Sequence, residues 1–368
     1  MQGPWTHTAL AQQLVFGAGS VDRLPTLLKV LGARKALLVT TEGRLASPEG
    51  DRVVALLGRS LASTFAQVES HVPVPLVHQA VQQARRDGVD VVVSFGGGSC
   101  ADLGKAVCFF TEQEAGMPGA SHLDRPVLPH VSIPTTYSGA ELTPFFGMTD
   151  PATRQKQGAG GPTSAPVVAI YDPDLTRTTP ARIRAETGMN ALAHCVEAAY
   201  SPQRTPEAEA IALAGARAIH LALPAVVADG DDDAARAAML TGAALAGRCL
   251  LNAGMGVHHG LAQLVGGRTG IPHGLANAIL LAHAVRFNAA NVPDEVARIG
   301  EALGGGDAST AIDALRSGIG LPGRLSEAGV ALDDLDAVAR LSQSNANVGR
   351  NPRPVSEADA LAILRAAW

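Results

Sequence analysis

The sequence predicts an α/β domain over residues 1–175, built on a mostly parallel, doubly wound sheet, followed by an all-α domain over 176–368. Three observations lead there. Short apolar runs alternate with helical segments in the first half, and long Ala/Leu-rich segments with helical spacing fill the second. A chain of 368 residues is also longer than one ordinary core organises.

The elements follow in order. Residues 36–40 (Ala-Leu-Leu-Val-Thr) form an apolar run bounded by charge, as a buried parallel strand requires. Helices are expected near 52–61 and over 75–87. Residues 89–95 are continuous and β-branched, the strongest strand signal in the chain, and 130–134 and 167–171 repeat the pattern more weakly. Beyond Pro180 helices are expected at 183–200, 206–223, 233–252, 258–265 and 274–287. No repeat or low-complexity linker separates the halves. Direct packing of the domains is therefore expected, with a cleft between them as the default ligand site.

Composition narrows the function classes. Hydrophobic residues are 46% and charged residues 17%, too apolar a balance for intrinsic disorder. A net charge of −5 without a basic block argues against nucleic acid. No stretch supplies the ~20 uninterrupted apolar residues of a membrane span. The N-terminus lacks the basic and apolar regions of a signal peptide, so a cytoplasmic protein is expected. Cys100, Cys108, Cys195 and Cys249 form no CxxC pair and are expected to be buried, reduced thiols.

Two regions carry chemistry. Gly96-Gly97-Gly98-Ser99 follows the strongest strand and opens into a helical segment. GGGS alone also suits a flexible connection, but strand before and helix after favour a phosphate site. There glycines admit the anion, and free N–H groups with the helix dipole attract it. The turn 134–141 (Pro-Thr-Thr-Tyr-Ser-Gly-Ala-Glu) also follows a strand; its hydroxyls suit either a cofactor or a helix cap. In the second half, Asn190 and His194 stand four apart and share a helix face. His258 and His259 open another helix, and His273 follows in Ile-Pro-His-Gly. Imidazoles so grouped serve as metal ligands or proton carriers, and spacing leaves both open.

At these residues the sequence resembles the iron-containing (group III) alcohol dehydrogenase superfamily, and within it the maleylacetate reductases. The resemblance runs from Leu14-Val15-Phe16-Gly17-Ala18-Gly19-Ser20 through 96–99, 133–144, 170–175, 188–200 and 256–273 to Asn351-Pro352-Arg353-Pro354. It implies a Rossmann-like N-terminal domain and a helical C-terminal one, the dehydroquinate synthase-like fold, with NADH or NADPH as cofactor and a homodimer as assembly. By resemblance, Gly96, Gly97, Gly98 and Ser99 hold the pyrophosphate, Thr135, Thr136 and Ser138 line the cofactor, and Lys156 approaches the nicotinamide ribose. Metal-dependent members use an Asp and three His; the matching positions here are Asn190, His194, His259 and His273. An amide is a poorer ligand than a carboxylate for a hard cation, so no metal is expected.

The resemblance further implies reduction of maleylacetate or a related oxo-acid, in aromatic-compound degradation. His259, His273 and His194 are the expected catalytic residues, and His258, Asn190, Arg350 and Arg353 the expected substrate contacts. Two departures bear on the substrate. Maleylacetate reductases continue His-His-Lys-x-x-His, whereas here Gly260 and Gln263 stand at those positions, and the loop 342–350 lacks the family's aromatic residue. Thr41-Glu42 stands where many NAD-selective relatives carry Asp, leaving NADH and NADPH both open. The alternatives are a metal-dependent alcohol or aldehyde dehydrogenase and a non-catalytic nucleotide-binding protein.

Overall fold

The computed structural model describes residues 5–119, 125–152 and 155–368; the side chains of Gln155 and Lys156 lie outside the described residues as well. The chain divides into two compact units, Ala9–Thr178 and Thr179–Trp368, the latter joined by the N-terminal stretch that ends at Thr8. Thr8 N donates to Asn252 Oδ1 at 2.7 Å and Asn252 Nδ2 donates to Thr8 O at 2.9 Å, which fastens that stretch to the helical unit.

The α/β unit runs β1 (Gln13–Phe16), α1 (Leu24–Val30), β2 (Ala36–Val39), α2 (Glu42–Leu45), α3 (Pro48–Leu57), β3 (Leu61–Phe65), α4 (Val74–Asp87), β4 (Val91–Gly96), α5 (Gly98–Glu114), β5 (His130–Pro134), β6 (Phe145–Asp150), β7 (Gln155–Gly160) and β8 (Val168–Tyr171). Among the described residues, six strands form one parallel sheet in the order β1-β8-β5-β4-β2-β3. Its four inner strands are buried at every position. One face packs Leu38, Val91, Val93 and Phe95 against Leu24, Leu27, Val53 and Leu57 of α1 and α3. The other packs Leu37, Val39 and Val92 against Val77 and Val81 of α4 and Leu103 and Val107 of α5. Both faces are thus covered, and the strands read as continuous apolar runs. Strand order reverses between β2 and β4, which opens a crevice beyond their carboxyl ends, the usual ligand position in such sheets.

The structure corrects three local expectations. The helix expected at 52–61 is α3, shifted toward the N-terminus: the Ser47 hydroxyl caps it by accepting from Gly50 N at 3.1 Å, and Gly58, at φ 48°, ends it. Leu61 then opens β3, an edge strand with only Phe65 buried, so no apolar run announces it. The antiparallel hairpin β6–β7 also went unread. Its second strand, Gln-Lys-Gln-Gly-Ala-Gly, carries little intrinsic strand preference and is held by backbone pairing.

The helical unit contains α6 (Ala181–Tyr200), α7 (Pro206–Ala228), α8 (Asp233–Leu250), α9 (Val257–Thr269), α10 (His273–Asn288), α11 (Pro293–Ala302), α12 (Ala308–Gly318), α13 (Leu332–Ser342) and α14 (Glu357–Ala366). The last four lie beyond the helices expected from sequence. Two of them carry side-chain caps, α12 with Asp307 accepting from Thr310 N and α14 with the Ser356/Asp359 capping box. At two helix crossings glycine is a spatial requirement. A Cβ on Gly188 would stand 2.3 Å from Leu223 Cδ1, and one on Gly242 2.6 Å from Ile219 Cγ1. By length and composition α7 is apolar enough to cross a membrane; it buries Ala208, Ala212, Gly215, Ala216 and Ile219 within this unit.

Two buried polar groups stand beside the sheet, Lys105 on α5 and His130 at the start of β5. Lys105 on α5 pairs with Asp102 at 2.8 Å and donates to Ala140 O at 2.7 Å and to Phe145 O, pinning the segment between β5 and β6. His130 bonds Ser94 Oγ through Nε2 at 2.7 Å, and burial, with the Lys105 charge second, holds its pKa down to about 3. The unfolded chain therefore binds more protons between about pH 6.5 and 3, and stability falls as pH falls through that window. Between pH 6.5 and 5 the wild type is expected to lose roughly 1.5 kcal/mol more than His130→Gln. Urea midpoints at the two pH values check this; equal losses would remove His130 as the cause.

Candidate active site

In the α/β unit the glycine loop turns from β4 into α5 at the reversal point of the sheet. Gly96 has φ 147°, and a Cβ there would lie 2.5 Å from Cys100 Sγ, so the turn needs glycine. Gly96 pairs in register with Pro134, and Thr135 N donates to Gly96 O at 2.9 Å, which draws the two loops together. They meet closely. A Cβ on Gly97 would lie 3.3 Å from Thr136, and one on Gly98 3.1 Å from Ser138. Thr136 Oγ1 is buried and has no hydrogen-bond partner among the described residues. Gly96, Gly97, Gly98, Ser99, Thr135, Thr136 and Ser138 thus gather at the start of the 17-residue helix α5, where unsatisfied N–H groups and the dipole favour an anion. Thr41, at the end of β2, caps α2 by accepting from Arg44 N at 3.2 Å. Lys156 lies on β7, its side chain outside the described residues.

In the helical unit, α6 presents Asn190 and His194, α9 begins one residue before His258, and α10 begins at His273. The rings of His194 and His259 stack with centroids 4.7 Å apart and planes at 16°. His273, half-buried, lies 6.1 Å from His259. His258 turns elsewhere: it is fully buried and donates through Nε2 to Asn277 O at 2.9 Å. A neutral ring that donates from Nε2 keeps its lone pair on Nδ1. Burial, with repulsion from His259 second, holds His194 well below the usual histidine range, so it is neutral at physiological pH.

The residue that organises this cluster is one the sequence reading passed over. Glu197, on α6 one turn after His194, is fully buried. Its Oε1 accepts from Gly256 N and His258 N, both at 3.1 Å, and its Oε2 accepts from His259 N at 3.2 Å and His259 Nδ1 at 2.6 Å. Burial alone would push this carboxyl up, but the His258 and His259 contacts outweigh it and hold it well below the usual range. A charged residue inside an otherwise apolar helical segment was the available signal, since a buried carboxylate demands partners. Asn277 and Asn351 were missed as well. Asn277 Nδ2 donates to Asn190 Oδ1 at 2.7 Å, and Asn351 Oδ1 accepts from Val257 N at 3.1 Å and so also caps α9.

These donors do not fit a hard divalent cation. The set expected from the family positions is an amide and three imidazoles, and the Asn190 oxygen already accepts from Asn277. Glu197, His258 and His259 bring ligand-type atoms within 4.8 Å of one another. Each Glu197 oxygen, however, already accepts two hydrogen bonds, and His258 directs its Nε2–H away.

The C-terminal contacts separate. Arg353 stacks its guanidinium 3.9 Å from the Phe287 ring, donates to Phe287 O at 3.0 Å and faces Asp359 at 3.5 Å. Arg350 is exposed, with Nη1 3.4 Å from Asn347 Oδ1. Gly260 also gains a reason. A Cβ there would stand 2.5 Å from Val348 Cγ2 and 3.0 Å from Asn345 Oδ1, and Gln263 Oε1 accepts from Asn347 Nδ2 at 3.3 Å. The 345–350 segment closes onto α9 at the two positions where the sequence departs from the maleylacetate reductase pattern.

Comparison with known proteins agrees with this geometry. Residues 11–173 match the iron-containing alcohol dehydrogenase family, and residues 184–368 match its C-terminal part. The maleylacetate reductase of Rhizobium sp. strain MTP-10005 is 36% identical over 365 residues, 99% of this chain and 98% of that protein. Its crystal structure superposes with a TM-score of 0.88 at 35% identity, covering 100% of this chain and 99% of that one. The maleylacetate reductase of Burkholderia cepacia is 35% identical over 96% of this chain and 94% of that protein. The crystal structure of maleylacetate reductase from Agrobacterium tumefaciens gives a TM-score of 0.88 at 33% identity, covering 100% and 98%. With both parts of the family matched in order along one chain, on a parallel-sheet unit and a helical unit, the protein is an oxidoreductase and belongs to the iron-containing alcohol dehydrogenase family.

Proposed function

We propose that the protein is an NAD(P)H-dependent reductase of maleylacetate or a closely related conjugated oxo-acid. The observation that carries this reading is the grouping of Asn190, His194, His259 and His273, in which an amide already engaged by Asn277 stands where metal-dependent relatives use a carboxylate. Reduction of a plain carbonyl favours a Lewis acid. A C=C conjugated with a ketone asks less: addition of hydride at carbon leaves an enolate, which imidazoles and backbone dipoles stabilise. Full-length relatives that are maleylacetate reductases support the same substrate class.

The cofactor pyrophosphate fits the cradle that a Cβ at Gly97 or Gly98 would fill, beside the orphaned Thr136 hydroxyl. Gly96–Ser99 would hold it, Thr135, Thr136 and Ser138 would line it, and Lys156 would approach the ribose. When bound, the reduced nicotinamide supplies the hydride. The chain's own part is to stabilise charge and deliver a proton. His259 or His273 stabilises the enolate oxygen or protonates the carbon, while His194 and Asn190 shape the pocket. Such proton transfer contributes typically ~10²–10⁴-fold. Arg350 is the remaining candidate partner for a substrate carboxylate, to which a guanidinium binds in a forked geometry.

Three outcomes are expected. Gly97→Val presses a side chain onto Thr136 and raises the cofactor Kd at least ~10-fold, or about 1.4 kcal/mol, measured by fluorescence titration of NADH and NADPH; unchanged affinity in a folded variant removes the phosphate assignment. Chelation leaves turnover intact; loss of activity restored by Zn²⁺ or Fe²⁺ replaces this reading with a metal-dependent alcohol or aldehyde dehydrogenase. His259→Ala and His273→Ala lower kcat by at least ~100-fold in one or both while cofactor binding persists. If both retain wild-type kcat, the histidines are structural.

A further inference from the structure

We infer that Glu197 is a positioning residue for the reaction: it holds a proton on His259 Nδ1, so that Nε2 is the atom His259 presents to substrate. This rests on the proposed role of His259 and adds a residue and an atom to it.

Hydrogen-bond valence decides the tautomer. An ionised carboxylate only accepts, and Glu197 Oε2 lies 2.6 Å from His259 Nδ1, so that nitrogen must carry a proton. Nε2 is then the lone-pair atom of neutral His259, or the acidic N–H of a protonated ring whose charge Glu197 balances. In neither state is Nδ1 available to a substrate. The neighbouring ring repeats the logic in reverse. His258 donates through Nε2 to Asn277 O, and its Nδ1, 3.2 Å from His259 Nδ1, can only accept when the ring is neutral. Two consecutive histidines thus divide the work: His258 anchors the helix start and His259 presents an atom.

The same carboxylate fixes the ring in space. The first turn of α9 has no capping side chain of its own sequence, because its N-cap is Gly256. A Cβ there would lie 2.9 Å from Glu197 Oε1 and 2.7 Å from Asn351 Oδ1, so glycine leaves room for caps that arrive from elsewhere. Glu197 accepts from the N–H groups of Gly256, His258 and His259, tying the backbone beneath the ring it also orients. Carboxylate–histidine pairs of this kind set tautomer and ring orientation elsewhere in enzymes.

A double-mutant cycle tests the inference, with folding followed by thermal melting. Glu197→Gln turns an NH₂ toward groups that already donate, and is expected to lower kcat ~10–100-fold in the wild-type background with cofactor Kd unchanged. In a His259→Ala background the same substitution should change kcat by less than ~2-fold, because its effect passes through the missing ring. Multiplicative losses, or wild-type kcat in Glu197→Gln, overturn the inference. If His259→Ala alone keeps full kcat, it is the proposed role of His259 that fails. A second measurement needs neither turnover nor a Glu197 variant. ¹⁵N-histidine NMR of the wild-type protein, with His259 assigned by its loss in His259→Ala, should show Nδ1 protonated; a proton on Nε2 alone overturns the inference whether or not Glu197→Gln folds.

Discussion

Burying a carboxylate in a helical bundle is among the more costly things a sequence can do, and the helical unit is arranged around having done it at Glu197. A buried charge is tolerated only when its lone pairs are filled, and here four donors from the start of α9 fill them. Much else follows from that requirement. α9 must begin where α6 can reach it, Gly256 must lack a side chain, and two histidines must arrive consecutively with one ring turned toward the carboxylate and the other away. The stacked His194 sits one turn earlier on the same helix as the carboxylate. The cluster is therefore one construction rather than several residues that happen to be near each other.

In the proposed reading the α/β unit would hold an anion chiefly through its backbone. Its means are geometric: a strand that ends in glycine, a long helix that begins at once, and a second loop brought within van der Waals reach by a shared strand register. Lys105 does not contribute its charge to that crevice. It is buried beneath, where it secures the backbone of the second loop at Ala140 and Phe145. A cation used as a brace leaves the loop's hydroxyls, not its charges, to face a ligand.

The division into a parallel-sheet unit and a helical one was legible because each has its own texture. Buried parallel strands are uniformly apolar, and β2, β4, β5 and β8 were each visible as such. Edge strands were not: β1 and β3 each bury a single position and offer no run to see. In the site, the glycine loop and the paired histidines were legible as motifs. Glu197 and Asn277 were not, because their significance lies in partners 62 and 87 positions away along the chain. Arg353 misled for the complementary reason. A guanidinium in a resembling motif suggests a substrate carboxylate, but within the fold it already meets Phe287's aromatic face and carbonyl and the carboxylate of Asp359.

The contact at Gly260 has an evolutionary side. A lysine at that position, the residue maleylacetate reductases typically carry, cannot coexist with Val348 as the loop now runs, since even a methyl group would overlap its Cγ2. Positions 260 and 348 therefore cannot drift independently. A side chain at 260 requires a smaller residue at 348 or a rerouted loop beforehand, so the order in which the two can change is constrained.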